Sequence, residues 1–460
     1  MYLLYSALAA VALLLSSPVW LLRVLRHGKY RAGLGERFGR VARRLRLPQH
    51  RPTIWVHAVS VGEVLAVSGL ISELQQRVPS HRIVVSTTTA TGQKLARDRF
   101  GDANVFYFPI DFALAIRPYL RALRPQLVVL AETEFWPNFL HLARQSGARI
   151  AVVNARISDR SFPRYRRLRS LVAPVLDNVD LFLAQSQEDR RRLIEIGAIV
   201  ERVQASGNLK FDLKPPAESP LVAQLKSALA EGAPDLPGVG KSGFFPGPIL
   251  VCGSTVEGEE ETILRAFDVV LKRHPSALMI LAPRHPERFD AVERLISSPI
   301  PDGELSRRWW RRSQWKGGGR LAGGVFLLDS IGELSSTYAL ADIAFVGGSL
   351  VPKGGHNILE AAQHGAAIVV GPYTENFRDV VQLFRAGDAV VVSSAAQLAS
   401  TFLDLLADES LRRDLARRAS EILRANSGAT ARTSAALESL LEAQSAPAAT
   451  VANVSPPVET

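Results

Sequence analysis

The chain has 460 residues, 47% hydrophobic and 22% charged, enough for two or three globular domains with sizeable cores. One cysteine, Cys252, inside an apolar run excludes a disulfide framework. The net charge of +11 suits an anionic membrane or an anionic substrate; with 7% aromatics, no zinc-finger spacing and no RNA-binding signature, no nucleic-acid partner is expected.

From Met1 to Leu22 no side chain is charged, and Arg23, Arg26, Lys29 and Arg31 follow at once. A helix of that length can cross a hydrocarbon core. A cleaved signal peptide carries its cations before the apolar run, whereas here they follow it. The positive-inside rule then puts residue 23 onward in the cytoplasm. The reading is a membrane anchor over 1–22, spanning or half-inserted at Ser16-Ser17-Pro18. A buried core helix is the plain alternative.

Short apolar runs then alternate with helical patterns. They are Ile54–His57, Ile83–Ser86, Leu127–Leu130, Ile150–Val153 and Leu181–Ala184, with a shorter run at Val203–Ala205. After residue 248 come Ile249–Cys252, Leu278–Leu281, Val325–Leu328, Ile343–Val346, Ala367–Val370 and Ala389–Val392. Such runs imply parallel strands covered by helices on both faces. One doubly wound sheet seldom needs so many units, so the fold class is α/β with two Rossmann-like doubly wound domains. Their expected extents are 23–213 and 249–425. Lys214-Pro-Pro and the Pro/Gly-rich stretch Ala233 to Pro248 mark 214–248 as a linker. Arg307 to Gly319, basic and rich in Trp and Gly, has no clear period and reads as a solvated loop or membrane-facing patch. Residues 445–460 are of low complexity and expected to be disordered.

In open α/β sheets ligands bind beyond the carboxyl ends of the strands. Those ends carry Ser60-Val-Gly62-Glu63, Thr87 to Gly92, Glu132-Thr-Glu134, Asn154-Ala-Arg156, Gln185-Ser186 and Asn208-Leu-Lys210. In the second half they carry Gly253 to Glu259 and Pro283-Arg284-His285. Helix caps also favour Ser, Thr, Asn and Asp, but Lys210 and Arg284 are poor cap residues and fit an anionic ligand better. The densest stretch is Phe345-Val-Gly-Gly-Ser-Leu through Gly354-Gly355 to Asn357 and Glu360. It is either a capping box, Asn357 with Glu360, or a nucleotide site with Glu360 on ribose hydroxyls. No Asp-x-Asp motif and no His/Cys cluster suggests a metal. Together these features suggest a nucleotide-sugar glycosyltransferase.

The ordered motifs resemble those of the 3-deoxy-D-manno-octulosonic acid (Kdo) transferases of lipopolysaccharide synthesis. They include Tyr30-Arg-Ala-Gly-Leu-Gly-Glu-Arg-Phe-Gly39, His57-Ala-Val-Ser-Val-Gly-Glu63, Glu132-Thr-Glu-Phe-Trp-Pro-Asn138 and Gly207-Asn-Leu-Lys-Phe-Asp212. Pro283-Arg-His-Pro-Glu-Arg-Phe289, Gly332-Glu-Leu334 and Gly355-His-Asn-Ile-Leu-Glu360 continue the likeness, which covers about 1 to 425. The resemblance implies two domains facing across a cleft in the GT-B arrangement. It implies inverting, metal-independent transfer of Kdo from CMP-Kdo to a lipid A precursor, lipid IVA, with no cofactor, at the cytoplasmic face of the inner membrane and its anionic surface. Carried over by motif, Glu36 is the general base, and Glu132 and Lys210 stabilise the transition state. Pro283, Arg284, Gly332, Glu333, Leu334, Asn357, Ile358, Leu359 and Glu360 contact CMP. A GT-B enzyme using a UDP-sugar, a catalytically silent binding module and a nucleotide-sugar epimerase share the two-domain plan.

Overall fold

The structure, a computed structural model, describes residues 1–27, 33–46, 51–212, 219–231, 247–298, 307–319 and 321–445. It divides into two units, Met1–Asp212 with the chain from Asn426 onward, and Leu213–Ala425. Each is built on one seven-stranded parallel sheet.

The first sheet contains β1 (Thr53–His57), β2 (Arg82–Thr87), β3 (Val105–Tyr107), β4 (Pro125–Ala131), β5 (Arg149–Ala155), β6 (Leu181–Ala184) and β7 (Val203–Ala205). Their order is β3-β2-β1-β4-β5-β6-β7. Strand order reverses beside β1, so the chain winds outward to both sides. The central strands are buried on both faces because helices cover both, which is why they read as unbroken apolar runs. On one face Trp55, Phe106, Tyr119 and Phe139 are fully buried. On the other, Val56, Val67, Leu70 and Val129 pack with Leu437 and Leu441 of the closing helix Ala429–Ser445.

The second sheet contains β8 (Ile249–Thr255), β9 (Leu278–Pro283), β10 (Arg308–Arg311), β11 (Gly324–Leu327), β12 (Ile343–Val346), β13 (Ala367–Val370) and β14 (Val391–Val392), ordered β10-β11-β9-β8-β12-β13-β14. Phe267, Phe345 and Phe402 fill its core.

Three expectations change and one element is new. The stretch Arg307 to Gly319 is not a free loop: its first part is edge strand β10, paired in parallel with β11. Arg311 is held by Asp290, Glu293 and Asp329, and Trp315 meets Phe326 edge-on at 5.3 Å. Charge on such a strand hides it from hydrophobic pattern reading and blunts the sheet edge. Second, 214–248 is not all linker: helix Pro220–Glu231 lies there, with Leu221, Leu225 and Leu229 buried at helical spacing. Third, the last helix returns to the first unit, where Asp212 accepts hydrogen bonds from the N–H groups of Gly428 and Thr430. Of the expected tail, all beyond Ser445 lies outside the described residues.

The last change concerns the anchor. Tyr2–His27 is one helix, yet among the described residues no helix is long and apolar enough to cross a membrane. Its first turns are engaged with the first unit. Tyr2 stacks on His141 at 3.9 Å and donates to the Pro174 carbonyl, and Ser6 bonds Asn138. Tyr5 hydrogen-bonds Asp111. Residues so held cannot lie in hydrocarbon. The remaining uncharged stretch, Ala7 to Leu22, is 16 residues, about 24 Å at 1.5 Å each and short of a hydrocarbon core of about 30 Å.

Candidate functional site

Three non-glycine residues at strand ends adopt left-handed backbone: Glu132 after β4 (φ 58), Asn154 in β5 (φ 53) and Ser254 in β8 (φ 56). Such conformations cost energy in L-residues and cluster where a side chain must be aimed. In the first unit they build one constellation. Asn154 Oδ1 accepts from Leu209 N at 3.0 Å, and Asn208 Oδ1 accepts from Lys210 N at 3.0 Å. Gln185 links the two asparagines through its side-chain amide. The Lys210 turn is thereby pinned to the sheet edge, and Lys210 Nζ lies 3.2 Å from Glu132 Oε1, both side chains about one quarter exposed. Glu132 and Lys210, both expected from their motifs to stabilise a transition state, thus lie side by side.

Glu63 joins this edge. Ser60 caps helix Val61–Arg77, and the Glu63 carboxylate accepts from Val59 N at 2.8 Å and from Ser60 Oγ at 2.9 Å. This is capping-box geometry, but burial sets it apart from an ordinary cap. The side chain sits at the mouth of β1, with Glu63 8% exposed. Burial, reinforced by the charges of Glu132 and Glu134, lifts its carboxyl to about 7, against the Val59 and Ser60 hydrogen bonds. Glu134 is raised also, by burial and by Glu132. Nearby His57 is driven to about 3 by complete burial and stacks on Phe108 at 3.9 Å, so it is a neutral core ring.

Glu36 is placed differently. It lies in the four-residue helix Leu34–Arg37, where Arg44 donates to Oε1 at 2.8 Å and Tyr107 N donates to Oε2 at 2.9 Å. Arg44 also binds the Val105 carbonyl, and Tyr119 OH the Glu36 carbonyl. The carboxylate therefore fastens residues 33–46 to edge strand β3. One carboxylate oxygen thus bonds a cation and the other a backbone N–H. Glu63 is the carboxylate buried near Glu132 and Glu134. In the sequence it stands in the Ser60 to Glu63 stretch after β1, which reads equally as a cap.

In the second unit Pro283 ends β9, and Arg284 N bonds the Thr255 carbonyl at 2.8 Å. Glu360 is raised by burial, opposed by a hydrogen bond from Ser335, the Arg284 charge and a hydrogen bond from Asn357. Asn357 Oδ1 accepts from Leu359 N at 3.1 Å. Glu360 thus bonds the Ser335 and Asn357 side chains and faces Arg284. Helix Leu359–Gln363 has five residues, too few for a strong dipole, so recognition here falls to side chains. Ile358 and Leu359 are fully buried core residues. Gly332 (φ 91) has no atom within 4 Å of where a Cβ would stand, leaving its backbone open to a ligand. Beside it Glu333 takes a forked bond from Arg312, at 3.2 and 3.3 Å, and one from Ser330. Leu334 begins the short helix Leu334–Thr337.

Two further residues of this unit contact its glycine-rich turn. Glu259, fully buried, accepts from the N–H groups of Gly348 (2.6 Å), Val256 (3.0 Å) and Leu350 (3.3 Å), holding the glycine turn after β12. A Cβ on Gly347 would stand 2.4 Å from Glu259 Oε1, which is why glycine is needed there. His356 is lowered to about 4 by burial and by the charges of Arg284 and His285, so its ring is neutral. Among the described residues no group of three or more His, Cys, Asp or Glu side chains stands as a metal cluster.

Residues 32–213 match the family model of 3-deoxy-D-manno-octulosonic-acid transferase (kdotransferase). The 3-deoxy-D-manno-octulosonic acid transferase of Haemophilus influenzae is 33% identical over 90% of this chain and 92% of its own length. That of Bordetella pertussis is 34% identical over 92% of this chain and 96% of its own. In fold, the crystal structure of MurG from Acinetobacter baumannii covers 85% of this chain and 99% of its own, with a TM-score of 0.51 and 14% identity. The two parallel-sheet units are those of a GT-B glycosyltransferase, and the chain belongs to the 3-deoxy-D-manno-octulosonic acid (Kdo) transferase family.

Proposed function

We propose that this Kdo transferase takes Kdo from CMP-Kdo and passes it to a sugar hydroxyl of a lipid A precursor, lipid IVA, in one inverting displacement without a metal ion. The observation that carries the mechanism is Glu63: a buried carboxyl held near neutrality beside the Glu132–Lys210 pair at the carboxyl edge of the first sheet. A general base works best with a pKa near the working pH. Glu63 accepts the hydroxyl proton as the oxygen attacks the anomeric carbon. The bond from that carbon to the CMP phosphate breaks on the opposite side, which inverts the centre. Lys210 offsets charge carried by the 2-keto sugar acid, and Glu132 holds its ammonium in place. Arg284 meets the departing phosphate, and Glu360 accepts from the ribose hydroxyls.

Glu63→Gln should lower turnover by at least about 10²-fold while CMP binding stays, and Glu36→Gln should leave turnover within a few-fold. The reverse pattern would restore Glu36 as the base.

The helix Tyr2–His27 is proposed to lie in the interface of the inner membrane, facing the cytoplasm. Its docked stripe is Tyr2, Tyr5, Ser6 and Ala9, while Leu3, Leu4, Leu8, Leu14 and Leu15 are exposed. Exposed Arg164, Arg166 and Arg167 stand beside exposed Leu168 and Leu171, just before Pro174, where Tyr2 docks. An apolar face bordered by cations fits the surface of an anionic bilayer. Removal of residues 1–22 should abolish flotation with anionic vesicles and keep CMP binding; unchanged flotation refutes the assignment.

A further inference from the structure

At the opposite edge of the first sheet, beneath the N-terminal ends of β4 and β5, lies a cavity of about 590 Å³. Arg117, Arg121 and Arg124 line it together with Gln126, Gln145 and Gln444, and its lining contains no acidic residue. All three arginines are exposed. Among the described residues none of them has an ion pair or a side-chain hydrogen bond. Neighbouring arginines behave otherwise: Arg144 and Arg149 both close on Asp180.

Helix ends do not account for this charge. Helices Ala113–Leu123 and Pro137–Gln145 both finish at the cavity, and each C-terminus presents roughly half a negative charge. Two ends offset about one of three cations, leaving a net charge of about +2. Arg117 and Arg121 are also four apart on one helix, a spacing at which like charges repel. Arg124 follows the helix in left-handed backbone (φ 43), where glycine is the unstrained choice. Its N–H still bonds the Leu120 carbonyl at 2.9 Å, so the helix is properly terminated and the strain goes into carrying an arginine. A charge of this size in a concave site draws a counter-anion of about two charges.

We propose that this cavity is a second ligand site that binds a dianionic phosphate monoester, distinct from the Glu63–Glu132–Lys210 edge. Strand β4 separates the two: Pro125 lines the cavity and Glu132 follows the strand's other end, about 20 Å away at roughly 3.3 Å per residue. Guanidinium forks suit phosphate oxygens bidentately, and the volume leaves room for more than the phosphate itself. The monoester comes from a soluble metabolite or from a lipid headgroup. The first turn of helix Tyr2–His27 stands two side chains away, since Tyr2 stacks on His141 and His141 bonds Gln145 at 3.1 Å.

The test uses the full chain carrying R284Q, which removes the cation proposed to meet phosphate at the donor site without adding a second phosphate monoester. Calorimetric titration with glycerol phosphate at low salt forms one arm. Flotation with phosphatidylcholine vesicles, with and without phosphatidic acid, forms the other. Saturable binding in the soluble arm supports a free monoester, and enhancement by phosphatidic acid alone supports a headgroup. In either case R117Q/R121Q/R124Q should weaken the binding roughly tenfold or more. Three outcomes overturn the proposal: no saturable binding in either arm, a triple variant that binds like wild type, or equal loss of soluble binding when Arg164, Arg166 and Arg167 are neutralised instead.

Discussion

Glu36 and Glu63 are two carboxylates of one structural unit, each near the start of a helix and each in a motif characteristic of the family. Arg44 and a backbone N–H bind Glu36, which holds the segment 33–46 against β3. Glu63 has hydrogen bonds but no cation, and Glu132 and Glu134 stand near it, so burial pushes its proton affinity up. On the proposed mechanism the same side chain is a clamp where a guanidinium pairs with it and a base where none does. What separates the two roles is the partner, not the motif.

The contrast is broken most severely by pH. If Glu63 is the base, kcat/KM should fall tenfold per unit below about 7, reaching roughly 10²-fold loss near pH 5. Glu36→Gln should keep that limb unchanged. A profile flat between pH 5 and 7, or one flattened by Glu36→Gln, would end the assignment.

A smaller effect extends the comparison to the second unit, where Glu360 is also raised by burial but faces Arg284. Glu360→Gln removes a charge-assisted bond of about 1.5–3 kcal/mol and should weaken CMP binding about tenfold or more. Its melting temperature should hardly move. Normal affinity with a lowered melting temperature would make Glu360 a helix cap after all.

The smallest effect is on stability and has opposite signs at the two positions. Below about pH 4.5 Glu63 is protonated whether the chain is folded or unfolded, and its burial costs no charge. Between 4.5 and about 7 the unfolded chain ionises first, so folding loses stability, and above 7 the penalty is complete. Glu63→Gln should therefore raise the melting temperature by a few degrees above pH 7 and by nothing near pH 4. Glu36→Gln breaks the Arg44 pair and should lower stability by about 1 kcal/mol at neutral pH. Equal shifts in the same direction would show that both carboxylates are structural.

Most strands were legible because each doubly covered parallel strand must be apolar along its length. Runs such as Ile150–Val153 and Leu278–Leu281 have no other ready explanation. Strand β3 is three residues long, and β10 has arginine at both ends, so neither shows that signal. Lys210 was legible as a candidate because a cation at a helix start is an unusual cap, and Glu132 because of the motif in which it stands. The donor motifs were legible as motifs, but Arg312 on Glu333 was not, because it joins residues 21 apart across a strand and a turn.

By itself the sequence determined the class of fold, the two-sheet plan, the family and the strand edges that carry chemistry, because hydrophobic period and motif order are written locally. Tertiary structure alone decided the rest. It showed that the first helix is tied to the first unit through Tyr2, Tyr5 and Ser6, and that the last helix returns there. It also showed that Arg44 pairs with Glu36, whereas Glu63 is buried near Glu132 and Glu134. Each of these depends on which groups distant in the chain share a low-dielectric neighbourhood, and partnering and burial there, not residue type, set what a carboxylate or an apolar helix can do.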